Sequence, residues 1–181
     1  MGSVGSSSTR LVVLRGNSGS GKSSIASAVR AQLGRTCALV PQDVMRRTVL
    51  GERDVTNGFN IGLISTVARY ALDCGYHVIV EGILSAQRYA TMLAELARDH
   101  RGTTTFYYLD VSFAETVRRH ETRPQAAEFD ATEMLGWYRH LDLLGFPGER
   151  VIAEESSLGS SVGRVLSEAL GIGEPFASPG T

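Results

Sequence analysis

Short apolar runs alternate with amphipathic stretches along almost the whole chain. Leu11-Val12-Val13-Leu14, bounded by Arg10 and Arg15, is rich in β-branched residues and reads as a buried parallel strand. Downstream, Ile25, Ala28, Val29 and Leu33 recur at helical spacing, with Gly34 as the stop. Thr36 to Val40, ended by Pro41, predicts a second strand, and Asp43 to Leu50 a short helix stopped at Gly51. Gly51 to Gly58 is polar and reads as a surface connection. Ile61, Ile64, Ala68, Ala71 and Leu72 then share one helical face, closed by Gly75. His77 to Gly82 is a third buried strand with an acid, Glu81, near its end. A helix over Ser85 to Arg101 turns Tyr89, Met92, Leu93, Leu96 and Ala97 inward. Thr104 to Leu109 is a fourth strand and Phe113 to Glu121 a helix. The pattern then lapses into a polar segment, Thr122 to Asp130, around Pro124. Thr132 to Leu144 reads as helical, with Trp137 and Tyr138 in the core beside Leu135 and Leu141. Arg150 to Ala153 is a weak fifth strand and Val162 to Leu170 the closing helix.

Such alternation of strand and helix predicts an α/β fold, a parallel sheet covered on both faces. Ligands of these sheets bind at the carboxyl ends of the strands, near a topological switch point. The loop after the first strand, Asp43 and Glu81 all fall at that end. The chain divides into a disordered Ser/Gly-rich leader over residues 1–9, one domain over 10–170 and a loose tail over 171–181. No internal repeat is visible.

Composition narrows the function classes. With 181 residues, 43% hydrophobic and 20% charged, the chain suits one soluble domain with a full core. The formal net charge of −1 argues against bulk nucleic-acid binding, though not against a small anion held by a few arginines. No apolar run is long enough for a membrane span. Cys37 and Cys74 are too few for a disulfide framework and read as buried thiols in a reducing, cytoplasmic setting. The histidines offer no metal spacing: His77 precedes a strand, His100 ends a helix, and His120 and His140 fall on polar helix faces.

The chemistry concentrates in Gly16-Asn17-Ser18-Gly19-Ser20-Gly21-Lys22-Ser23, which fits G-x-x-x-x-G-K-[ST] without a mismatch. Set between a strand and a helix, it places backbone N–H groups and a helix N-terminus around a polyphosphate. Gly16 through Ser24 are the candidate nucleotide-binding residues, Lys22 reaching the β/γ-phosphates and Ser23 ligating Mg²⁺. Asp43 and Arg46, three apart on a short helix, share a face. A carboxylate there can take the proton of an acceptor hydroxyl, and an arginine can grip an anion. Glu81 can hold Mg²⁺, as a Walker B carboxylate does, or contact the substrate. Arg118, Arg119 and Arg123 straddle a helix end before the polar segment. They read as arginines that a mobile lid over residues 122–130 would bring to the transferring phosphate.

RGNSGSGKSS, QDVMR, VIVEG and VRRHETRP, each after its strand or on it, resemble the small P-loop kinases. The likeness is to the group of zeta-toxin-like kinases, chloramphenicol phosphotransferase and the kinase domain of polynucleotide kinase, and it covers Arg10 to Leu170. It implies a three-layer P-loop NTPase fold with a five-stranded parallel sheet, helices on both faces and a small lid. It also implies ATP and Mg²⁺ as cofactors and Asp43 as general base. Arg46 then lies beside the substrate, with Arg119 and Arg123 as lid arginines. Glu81 stands where the group often has aspartate.

The reading is therefore an ATP-dependent phosphotransferase acting on a hydroxyl of a small molecule (a nucleoside, sugar or antibiotic), as a monomer or homodimer. A 5′-hydroxyl polynucleotide kinase and a regulatory nucleotide-binding protein are the alternatives. The first would want a basic groove with interleaved aromatics, and a GTPase-type switch would want an Asn-Lys-x-Asp motif that does not occur.

Overall fold

The computed structural model describes residues 2–121 and 130–172. Five strands form one sheet: β1 (Arg10–Gly16), β2 (Cys37–Pro41), β3 (His77–Gly82), β4 (Thr103–Asp110) and β5 (Arg150–Ala153). Their order is β2-β3-β1-β4-β5, and every pairing is parallel. The helices are α1 (Lys22–Leu33), α2 (Phe59–Asp73), α3 (Ala86–Asp99), α4 (Phe113–Glu121), α5 (Ala131–Trp137) and α6 (Leu158–Leu170).

Side-chain alternation along β1 explains why the sheet is covered twice. Leu11 and Val13 join Ile64, Leu72, Leu93 and Leu96 beneath α2 and α3. Val12 and Leu14 join Ile25, Val29, Val165 and Leu166 beneath α1 and α6. Neighbouring strands repeat the division, Val78 and Val80 on one side and Ile79 on the other. The expected three-layer, five-stranded parallel architecture is present.

Several local expectations give way to the structure. Arg15, read as a polar boundary, lies inside β1 and is 1% exposed. The helix expected over Thr132 to Leu144 ends at Trp137. Beyond it Tyr138 is extended and Leu141 takes φ 45°. Backbone groups there are drawn away by partners distant in sequence: Arg139 N–H by Asn17 Oδ1 at 2.9 Å, and Asp142 C=O by Arg15 at 2.8 Å. Trp137, Leu135 and Leu141 are consequently surface residues and not core. The N-terminal segment, expected as a disordered leader, is fastened to the domain. Val4 is buried and bridges His100, while Gly5 N–H donates to Asp73 at 2.7 Å. Cys74 is exposed, unlike buried Cys37, and His120 is buried although its helix position suggested a polar face. The expected lid, apart from Asp130, and Gly173 to Thr181 of the expected tail lie outside the described residues.

Candidate active site

β1 delivers the chain to the phosphate loop at the carboxyl edge of the sheet. Gly16 (φ 147°) and Gly19 (φ 77°) are glycine for two reasons, backbone conformation and space. A Cβ would lie 2.8 Å from Leu109 O in the first case and 2.6 Å from Thr116 O in the second. The loop is thus pressed between the end of β4 and α4. At the start of α1 no side chain caps the helix and no acidic residue occupies the first turn. Its first N–H groups and the positive end of its dipole remain available to an anion. Lys22 is 6% exposed, and its ammonium donates to Asn17 O at 2.7 Å and Ser20 Oγ at 3.3 Å. Ser23 and Ser24 face outward on the first turn.

Parallel pairing of β1 with β3 sets Glu81 beside this turn. The Ser23 hydroxyl donates to both carboxylate oxygens, at 3.2 and 3.1 Å. Burial pushes the Glu81 carboxyl above its usual range, against the opposing pull of Lys22 and the Ser23 hydrogen bond. No group of three or more His, Cys, Asp or Glu gathers among the described residues. One hydroxyl and one carboxylate fit Mg²⁺, which takes few protein ligands and completes its shell with phosphate and water.

On the other side of the loop opens a cavity of about 720 Å³. Gly16, Asn17 and Ser18 form its phosphate end, and Asp43 and Arg46 lie on its wall. These two stand where β2 ends and the chain makes a wide helical turn over Val44–Val49, in place of a regular α-helix. Arg46 donates to Asp43 at 2.8 Å and to Glu52 O at 3.1 Å, and the Asp43 carboxylate stays 61% exposed to the cavity side. Arg119 reaches across from α4, donating to Ser20 O at 3.4 Å and Glu154 O at 3.2 Å. Its Nε also bonds Glu115, whose carboxyl is held down at about 2 by Arg118 and Arg119. Arg118 points outward, and Arg123 lies outside the described residues. Lys22, Ser23, Glu81 and Arg119 thus meet at the phosphate loop, while Asp43 and Arg46 lie on the wall of the cavity beside it.

The pattern of residues concealed much of the far wall. Tyr89, read as core, is fully buried but its hydroxyl is a polar junction. It accepts from Gln42 at 3.0 Å and Asn60 at 2.8 Å and donates to Asp54 at 2.7 Å. Asp54 in turn holds Arg88 at 2.6 Å. Burial and the Asp54 carboxylate push the Tyr89 phenol up to about 12, so it remains a donor at neutral pH. A second junction is Arg15, which bonds Leu84 O, Glu149 and both the carbonyl and carboxylate of Asp142. Asp142 also takes the Ala86 N–H at the start of α3. A weak signal existed in each case: an amide, Asn60, on an apolar stripe, and an arginine continuing a strand.

Comparisons with known proteins bear on the family and the fold. An AAA-domain family model matches residues 11–136, from β1 through α5. The chain belongs to this P-loop family. No curated protein matches the sequence. Among solved structures, the APS kinase of Mycobacterium tuberculosis, in complex with AMPPNP and APS, superposes with a TM-score of 0.67 at 21% identity. That match covers 91% of this chain and 97% of the other. A gluconokinase from Sinorhizobium meliloti gives 0.57 at 19% identity, covering 87% and 89%. A sugar kinase from Janibacter sp. gives 0.63 at 20% identity, covering 88% and 93%. At such identities the likeness concerns the fold, which is that of P-loop kinases. No helix among the described residues is long and apolar enough to cross a membrane.

Proposed function

We propose that this protein transfers the γ-phosphate of ATP to a hydroxyl of a small molecule. The observation that carries the reading is the single cavity joining Gly16–Ser18 of the phosphate loop to Asp43 and Arg46. A cavity of that size beside the phosphate loop, with a carboxylate and an arginine on its wall, leaves room for a second substrate. The reading is supported by the kinase fold and by structural neighbours named for APS, gluconate and sugar phosphorylation.

In this mechanism the α1 N-terminus and Lys22 would hold the triphosphate, and Ser23 and Glu81 would hold Mg²⁺. The bound metal would neutralise charge on the phosphate oxygens. Asp43 accepts the proton of the acceptor hydroxyl as the phosphoryl group leaves, oriented by its bond to Arg46. Arg119, lodged against Ser20, adds positive charge beside the transferring group. Arg123 joins it if the segment 122–130 closes as the lid, excluding water. Arg46, Arg88 and Trp137 give the acceptor wall both charged and aromatic surface, suited to a polar metabolite or antibiotic. The two free cysteines accord with a cytoplasmic enzyme.

The test is ADP release from MgATP in the presence of a panel of nucleosides, sugars, sugar acids and antibiotics. With the compound that responds, Asp43→Asn should lower turnover by roughly 10²–10⁴-fold while AMPPNP affinity is retained. Near-normal turnover of that variant would transfer the base role to Glu81. A metal role for Asp43 would show as a higher Mg²⁺ requirement.

A further inference from the structure

Arg139, two residues beyond α5, lies on the cavity wall with Gly16–Ser18. Its backbone is pinned to the phosphate loop on both polar atoms. Asn17 Oδ1 accepts its N–H at 2.9 Å, and Asn17 Nδ2 donates to its carbonyl at 2.7 Å. The Tyr108 hydroxyl donates to the same carbonyl at 2.9 Å. Asn17 is 5% exposed, so this clamp is shielded from competing water.

The guanidinium, by contrast, is little used. One amino group touches the carbonyls of Gly136 at 3.4 Å and Tyr138 at 2.9 Å. Among the described residues no carboxylate pairs with it. Arg46 and Arg88, on the same wall, are held by Asp43 and Asp54. An exposed arginine whose main chain is fixed to a phosphate-binding loop, and whose charge is not neutralised, is prepared for an anion at that loop. A planar fork of donors can take two phosphate oxygens at once.

We infer that Arg139 contacts the γ-phosphate of the bound nucleotide, and that Asn17 is the residue that positions it. This rests on the nucleotide-site reading above but not on the identity of any acceptor. Its competitor is a local role, in which Arg139 caps the last carbonyls of α5.

Calorimetric titration with AMPPNP and with ADP, both in Mg²⁺, separates the two. Arg139→Ala should weaken AMPPNP by about tenfold to hundredfold, the usual range for a hydrogen bond to a charged group, with ADP affinity retained. Arg139→Lys should recover part of the loss. Arg139→Gln, which keeps a donor for the α5 carbonyls, repeats the test should the alanine variant not fold, and it must show the same selective loss. Equal weakening of both nucleotides, or unchanged affinities with a lower melting temperature, would overturn the inference and leave only the helix cap. If the unaltered protein binds neither nucleotide, the nucleotide-site reading falls as well. If the unaltered protein binds both nucleotides but the variants show no AMPPNP-selective loss, this inference alone is overturned.

Discussion

One unbroken run, Gly16 to Ser23, makes the phosphate loop, whose first three residues line the cavity, and its shape follows from glycine conformation and a helix N-terminus. The opposite wall takes Gln42, Asp54, Arg88, Trp137 and Asp142 from five separate stretches. Two buried junctions, Tyr89 and Arg15, hold those stretches together. The first end depends on local backbone geometry, the second on polar contacts between segments distant in sequence. Changes near the loop should therefore cost chemistry, and changes at the junctions should cost order.

The largest effect should come from Arg15→Ala. Arg15 and Glu149 are 1% and 5% exposed at their side chains, and burial already pulls the guanidinium below its usual pKa against the pull of two carboxylates. Removing one partner of a buried pair costs about 3–5 kcal/mol. Chemical denaturation should show that loss, and hydrogen exchange should place the loosening at residues 139–149. A loss under about 1 kcal/mol would mean that water replaces the junction and the contrast between the two ends fails.

Lys22→Ala comes next and should act in the opposite manner. Removing a contact to charge that develops in the transition state costs about 10²–10³ in rate, or about 2.7–4 kcal/mol. The melting temperature should fall far less than for Arg15→Ala, since the Lys22 ammonium donates to Asn17 O and Ser20 Oγ of its own glycine loop and not to a junction between distant segments. Turnover within a factor of about three of the unaltered protein would remove the phosphate-loop assignment.

Tyr89→Phe should be the mildest of the three. It leaves Gln42, Asn60 and Asp54 without their shared partner, and unsatisfied buried groups cost about 1–3 kcal/mol. Denaturation measures the stability loss, and AMPPNP titration should show nucleotide affinity intact. A fall in nucleotide affinity as large as that of Lys22→Ala would show that the two ends are not independent.

The same contrast explains what could be read without coordinates. The inner strands were legible, because a strand buried on both faces is a continuous apolar run. Val78-Ile79-Val80 is unmistakable in that respect. By contrast β5 at the sheet edge, with Val151 and Ala153 exposed, gave only a weak signal. The phosphate loop was legible because its residues are contiguous. Asp43, Arg46 and Glu81 were singled out by their place at strand ends, and the fold sets Glu81 against Ser23 and the other two on the cavity wall. Arg15, Tyr89 and Arg139 were not found, since their partners lie 29 to 134 residues away and no spacing announces such a pair. The overlong helix after Thr132 failed for the same reason. Its polar backbone had better partners elsewhere, and a periodicity count does not see them.

The position of β1 at the centre of the sheet bears on how the chain is made. β1 leaves the ribosome before any other strand, yet both of its neighbours come much later. Leu11 waits for Val78 on one side and Thr104 on the other. Until about residue 110 has emerged, the most apolar segment has no completed sheet to enter. Loop closure over such separations slows folding, and it prolongs the exposure of Leu11 to Leu14. The nascent chain therefore carries a locally shaped phosphate loop on a strand that has no neighbour until β3 and β4 are made.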